Sequence, residues 1–202
     1  MKIINCEQGT EEWFNCRLGK ATASNFNKVI TSSGSISDQL KKYAYLLASE
    51  MLAVEQEETY KNEAMQRGND LEPLAVEEYE LNSFNPVEKV GFISCGEYGS
   101  SPDGLVDDNG LIEIKCPNNT THTIYLYENK LPTIYKAQVQ GNLFCTEREW
   151  CDFVSFNPNF KEQEKLLIVR VYRDEKYIKS LEKGLQQLTD LKKNIYEKIK
   201  NR

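Results

Sequence analysis

The sequence predicts an α/β fold in a single domain, residues 1–202, with a small central mixed β-sheet flanked by helices. Apolar residues recur at three- and four-residue spacing before and after the middle of the chain, which is the helical period. The middle switches to short apolar and β-branched runs bounded by Asp, Asn, Gly and Pro, the pattern of strands and tight turns. No internal repeat, low-complexity tract or long linker divides the 202 residues, a length that buries a core without disulfide staples.

Taken in order, a short helical pattern lies near Ser24 to Ile30, and Thr31-Ser32-Ser33-Gly34-Ser35 separates it from a longer one at Asp38 to Val54, with Asp38 as N-cap. A further helix is expected over Glu63 to Leu81. Val87 to Ser94 and Leu111 to Cys116 read as strands, and Asp107-Asp108-Asn109-Gly110 marks a β-hairpin turn. A helix around Tyr135 to Phe144 precedes two strands, Cys151 to Phe156 and Leu166 to Tyr172, bounded by Asn157-Pro158-Asn159. From Asp174 onward, Ile178, Leu181, Leu185, Leu188, Leu191, Ile195 and Ile199 form one apolar stripe, expected to pack on its own domain rather than on another subunit. Lysines on the opposite face of that helix are expected in solvent.

Composition excludes several classes of function. No apolar stretch reaches the roughly 18 residues of a membrane span, and Met1-Lys2-Ile3-Ile4 carries no signal-peptide pattern, so a cytoplasmic location is expected. Six cysteines show no C-x-x-C pair and no zinc rhythm, and are expected as reduced core thiols. The only histidine, His122, rules out a His-rich metal site and is expected at the surface. No P-loop or dinucleotide-binding glycine pattern occurs, so no nucleotide cofactor is expected. A net charge of −6 weighs mildly against nucleic-acid binding, but a divalent-metal site needs clustered carboxylates that push the total negative.

The chemistry-bearing constellation is Ser101-Pro102-Asp103-Gly104 followed, ten positions after Asp103, by Glu113-Ile114-Lys115. On a strand Glu113 and Lys115 share a face while Ile114 points into the apolar layer behind. A hairpin brings Asp103 beside Glu113, giving two hard oxygen ligands for Mg²⁺, with the Ile114 carbonyl as a further ligand. Lys115 beside that ion can orient or deprotonate the attacking water and offset charge growing on a phosphate. The expected reaction is phosphodiester hydrolysis. Taken alone, the pattern fits an ordinary salt-bridged surface hairpin better.

Further blocks change that balance. Glu12-Trp13 through Arg17-Leu18-Gly19, Thr22-Ala23-Ser24, Arg67-Gly68 with Glu72, Ser101 to Leu105, Glu113 to Pro117, Ala137-Gln138-Val139-Gln140 and Arg173 to Tyr177 occur in this order. With these blocks the chain resembles the lambda exonuclease family, the YqaJ-type viral recombinases of the PD-(D/E)XK superfamily, over nearly its whole length. The resemblance implies a restriction-endonuclease-like core and a metal site of Asp103, Glu113, Ile114 and Glu72, holding two Mg²⁺ with Mn²⁺ able to substitute. It makes Arg17, Ser24 and Ser101 a pocket for a terminal 5′-phosphate, Met65 a wedge between DNA strands, and Gln138 and Gln140 supports of the metal shell. Each has a plainer reading: Ser24 as a helix N-cap, Met65 as core, Glu72 and Gln140 as helix surface.

The implied activity is 5′-to-3′ digestion of double-stranded DNA from phosphorylated ends, leaving a 3′ single strand for recombination. The implied partners are DNA ends, two further copies in a trimeric ring and a single-strand annealing protein, in a phage or viral setting inside the host cell. A structure- or site-specific endonuclease on the same fold, and a non-catalytic DNA-end-binding protein, are the alternatives. The cysteine spacing does not fit the iron–sulfur branch of the superfamily, so no cluster is expected.

Overall fold

The computed structural model describes residues 1–54 and 63–202, with side chains from residue 66 onward in the second stretch. The side chain of Met65, the expected wedge, therefore lies outside the described residues. The elements run β1 (Lys2–Ile4), α1 (Glu11–Arg17), β2 (Ala21–Thr22), α2 (Leu40–Leu52), α3 (Glu63–Ser83), β3 (Val87–Glu88), β4 (Phe92–Ser94), β5 (Tyr98–Ser100), β6 (Gly104–Val106) and β7 (Gly110–Lys115). They continue with α4 (Asn119–Glu128), α5 (Lys136–Thr146), β8 (Trp150–Phe156), β9 (Leu166–Tyr172) and α6 (Glu175–Lys200).

The α/β class holds, with two sheets instead of one. A five-stranded mixed sheet has the order β3-β6-β7-β8-β9, and a four-stranded one the order β1-β4-β5-β2. The second sheet escapes sequence pattern because its strands are two or three residues long, too short to show alternation. For the same reason the run from Val87 to Ser94 is two strands, β3 and β4, in different sheets.

β7 sits centrally, antiparallel to β6 and parallel to β8. Ile112 and Ile114 pack with Val154, Phe156, Ala75, Val76 and Tyr79, so α3 covers that face. Leu111 packs with Val139, Leu143 and Cys151, so α5 covers the other. The β6–β7 hairpin forms as predicted, and Arg148 Nη1 donates to the carbonyls of Val106, Asp107 and Gly110, closing its turn. Asp107 takes a positive φ of 48° there, a conformation Asp tolerates better than most residues.

The apolar stripe of α6 packs on its own chain. Leu181, Leu185, Leu188 and Ile195 are buried with Tyr43, Ala44 and Leu47 of α2 and with Phe26, Val29 and Ile30. Asp174 caps α6 by accepting from the Tyr177 amide. Gly141 of α5 lies so close to Phe26 that a side chain there would overlap the ring.

Several local expectations are corrected. Asp38 does not cap α2: the buried Ser37 makes the turn, its carbonyl accepting from Leu40 N and its hydroxyl from Gln39 N, which leaves Asp38 exposed. The pattern from Ser24 to Ile30 is a 3₁₀ turn at Ala23–Lys28. Lys192 is 2% exposed instead of solvated, donating to the Gly19 carbonyl at 2.6 Å and to Glu97 at 2.7 Å. His122 is fully buried on the unpredicted helix α4. Its Nε2 faces the Glu164 carbonyl at 2.8 Å and must donate, so Nδ1 accepts from the Ser155 hydroxyl at 2.8 Å. All six cysteines are free; Cys145 and Cys151 are buried and the others half-buried. Among the described residues no helix is long and apolar enough to cross a membrane.

Candidate active site

Ser101-Pro102-Asp103 joins β5 of the four-stranded sheet to β6 of the five-stranded one. The hairpin register pairs Gly104 with Ile112, so one step further Asp103 stands opposite Glu113. Asp103 Oδ2 accepts from the Ile114 amide at 2.6 Å, which fixes the carboxylate at the hairpin mouth. Glu113 is only 1% exposed, a burial an unpaired carboxylate would not tolerate. Three donors compensate: Lys115 Nζ at 2.5 Å and Gln138 Nε2 at 2.6 Å on Oε1, and Asn142 Nδ2 at 2.8 Å on Oε2.

The electrostatics follow from this crowding. Burial, then the neighbouring Glu113 and Glu72 carboxylates, push Asp103 well above the ordinary carboxylate range, with Lys115 opposing. Glu72 is raised by burial and by Glu113, against the pull of Lys89 and Lys115. Burial works to lower Lys115, yet Glu113 and Asp103 raise it above the usual lysine value, so its ammonium stays charged. Tyr135 lies 5.2 Å beneath that ammonium, stacked in turn on Phe153.

Glu72, Asp103, Glu113, Ile114 and Lys115 line one cavity of about 580 Å³. The same cavity receives Arg17, Ser24 and Ser101. Arg17 and Ser24 share no helix: α1 ends at Arg17, β2 intervenes, and Ser24 belongs to the following 3₁₀ turn. Ser24 does not cap that turn either, the N-cap position being Thr22. The Arg17 guanidinium lies 3.5 Å over the Trp13 ring, and Trp13 Nε1 donates to Ser101 Oγ at 2.9 Å. Desolvation lowers the Arg17 pKa to about 10, and among the described residues it forms no ion pair.

Of the two glutamines, only Gln138 reaches the site. Gln140 bonds the Tyr172 carbonyl and the Asp174 amide, tying β9 to α6 on the opposite side of α5. Residues two apart on a helix point away from each other, whereas the i+4 partner of Gln138 is Asn142. Sequence reasoning missed Asn142 as well as Trp13 and Tyr135 as shapers of the site. Asn142 Oδ1 is buried and has no hydrogen-bond partner among the described residues, an acceptor left open beside the cavity.

The donor set fits a divalent ion. Among the described residues no three acidic, His or Cys side chains are arranged closely enough to hold a metal ion as they stand. Glu72, Asp103 and Glu113 nevertheless bring carboxylates from a helix, a linker and a strand to one cavity, where burial and then neighbouring carboxylates raise Glu72 and Asp103 toward protonation. A cation relieves that repulsion, and Mg²⁺ takes a few carboxylates while keeping several waters.

Comparison with known proteins shows which family and fold the chain shares. Residues 12–149 match the YqaJ-like viral recombinase domain. An alkaline exonuclease from Laribacter hongkongensis is 37% identical, with 95% of this chain and 97% of that one covered and a TM-score of 0.87. The same exonuclease in complex with dAMP gives a TM-score of 0.86 at 37% identity, over 95% of this chain and 97% of that one. A phage-related exonuclease from Haemophilus somnus, 18% identical, shares the fold with a TM-score of 0.72, over 89% of this chain and 96% of that one. No curated protein matches the chain.

Proposed function

The chain belongs to the YqaJ-like viral recombinase family, and from that premise we propose that it is a DNA exonuclease of PD-(D/E)XK type, Mg²⁺-dependent and acting on double-stranded DNA from 5′-phosphorylated ends. One observation carries the proposal: the carboxylate–lysine cluster and an arginine free of ion pairs among the described residues, flanked by two serines, line a single cavity. An internal-cutting enzyme needs the first group and has no use for the second. The dAMP complex of the 37%-identical exonuclease supports a cavity suited to one terminal nucleotide.

In the proposed reaction the Arg17 fork, backed by the Trp13 ring, takes two oxygens of the terminal phosphate, and the Ser24 and Ser101 hydroxyls add directional bonds. The adjacent phosphodiester then falls beside Asp103 and Glu113. Bound by Glu72, Asp103, Glu113 and the Ile114 carbonyl, Mg²⁺ ions, or Mn²⁺ in their place, supply Lewis-acid charge to the reacting phosphate. Lys115, kept cationic by its acidic neighbours, orients the attacking water and offsets charge developing in the transition state. Gln138 and Asn142 hold Glu113 in one rotamer, so no reorganisation is needed when substrate arrives. The product is a 5′-mononucleotide and a receding strand, leaving 3′ single-stranded DNA for an annealing protein; family membership supports a ring-shaped trimer as the assembly.

The test is digestion of a linear duplex carrying distinct labels at its two termini, beside a covalently closed circle of the same sequence. Loss of label from 5′-phosphorylated ends with Mg²⁺, its absence in chelator, and intact circles are expected. Cutting of circles, or equal rates on 5′-phosphate and 5′-hydroxyl ends, would overturn the proposal in favour of an endonuclease.

A further inference from the structure

A second cavity of about 610 Å³ lies on the other side of the same carboxylates. Glu72, Asp103 and Gln8 line both cavities, so the acidic pair forms a partition with open space on each side. On the first side stand Arg17 and the serines. On the second, among the described residues, the only basic residue is Lys89, on the segment between β3 and β4, facing Asn5, Glu7 and the partition.

This second space is built from packed backbone. Gly91 approaches the backbone of Ile4 and Cys6 so closely that any side chain there would collide with it. The Gln8 amide donates to the Val90 carbonyl at 2.9 Å and to the Pro102 carbonyl at 3.0 Å, fastening the Lys89 segment to the linker that carries Asp103. Lys89 itself is exposed and makes no ion pair among the described residues, although its charge acts on Glu72. The other charged walls, Glu7, Glu72 and Asp103, are all acidic and would repel a polyanion. Among the described residues of that wall, the exposed ammonium of Lys89 is the feature that lets an anionic backbone approach.

We propose that the second cavity seats the DNA linkage on the 3′ side of the scissile bond, and that Lys89 binds its non-bridging oxygens. This rests on the exonuclease reading above. The strand straddles the partition: its terminal nucleotide occupies the Arg17 cavity, the scissile phosphate meets the carboxylates, and the next phosphate meets Lys89. Lys89 is thus a substrate-positioning residue for the part of the strand that remains after each cut.

Neutral linkages provide the experiment. Wild type, Lys89→Ala and Lys89→Arg digest 5′-phosphorylated duplexes carrying one methylphosphonate at the first, second or third linkage beyond the scissile bond. Lys89→Ala is expected to raise KM for unmodified duplex about tenfold with kcat nearly unchanged, and Lys89→Arg to restore most of it. One placement should slow wild type by about the same factor and leave Lys89→Ala indifferent. Equal slowing of wild type and Lys89→Ala at every placement, or no slowing of wild type anywhere, overturns the assignment. Binding of unmodified duplex with Ca²⁺ in place of Mg²⁺ adds a readout independent of cutting: the salt slope of Lys89→Ala should be shallower by about 0.7 to 0.9. An unchanged slope overturns the inference even where wild type degrades DNA ends. Failure of wild type to degrade ends, with the slope shifted, instead overturns the exonuclease reading and leaves Lys89 as a backbone contact.

Discussion

The two sheets supply opposite halves of one cavity and hold them by different means. On the five-stranded side, Glu113 is pinned by three hydrogen bonds from β7 and α5 and Asp103 by the Ile114 amide. On the four-stranded side, Arg17 rests on the Trp13 ring, and Ser24 is an exposed residue of the 3₁₀ turn. Charges destined for a metal have to be locked before it arrives, because misplacement weakens every ligand bond. A phosphate-gripping guanidinium instead needs a flat support and freedom from competing acids. The first half is fixed by directional bonds, the second by packing.

That contrast can be broken at several points. Lys115→Ala should give the largest effect, a loss of about 10³-fold in kcat with duplex binding retained, measured by single-turnover digestion and filter binding. Full activity of that variant would sink the mechanism. Asn142→Ala removes one donor from Glu113 and should weaken Mg²⁺ activation about 10- to 100-fold, read by titrating Mg²⁺ against rate and by calorimetry. Arg17→Ala, on the other half, should leave Mg²⁺ dependence alone and erase a preference of about tenfold for 5′-phosphorylated ends.

Smaller effects sharpen the packing side. Gly141→Ala gains about 1 kcal/mol of helix propensity, but its methyl would strike Phe26, which is fully buried and cannot retreat. Overpacking of about 1–3 kcal/mol should dominate, lowering the melting temperature and disturbing the Ala23–Ser24 turn more than the carboxylates. The smallest effect concerns Glu97, which hydrogen bonds from Lys192 and Lys193 hold below the usual carboxylate pKa. Stability from that pairing is present above the ordinary value of 4.5 and fades as pH falls through the lowered one. Glu97→Gln should flatten the acid limb of melting temperature against pH, by less than about 1 kcal/mol because the carboxylate is 39% exposed.

What the sequence made legible follows the same division. Asp103, Glu113 and Lys115 were readable because strand alternation and an Asp-Asp-Asn-Gly turn fix their mutual placement locally. The long stripe of α6 was readable because seven apolar positions keep one period. The Arg17 half was reached by resemblance alone, since its residues meet through tertiary packing that spacing does not encode. α4 went unseen because its threonines and mixed faces show neither period, and His122 and Lys192 were misplaced because their burial depends on partners more than 30 residues distant in sequence. Asn142 was legible in principle from its i+4 relation to Gln138, a relation obscured by the neighbouring Gln140.

The stretch from Ser101 to Asp103 contains only Pro102 between its ends, so it can span no more than about 7 Å. In the proposed reaction, the hydroxyl that grips the end and the carboxylate at the cut are thereby fixed to a covalent ruler with one rigid graduation. A molecule that works in the proposed way would remove units of constant size without any clock or sensor, since the distance from grip to cut is written in peptide bonds. Lengthening that ruler by a single inserted residue would alter the size of the excised piece, or halt excision, while leaving both halves of the cavity chemically intact.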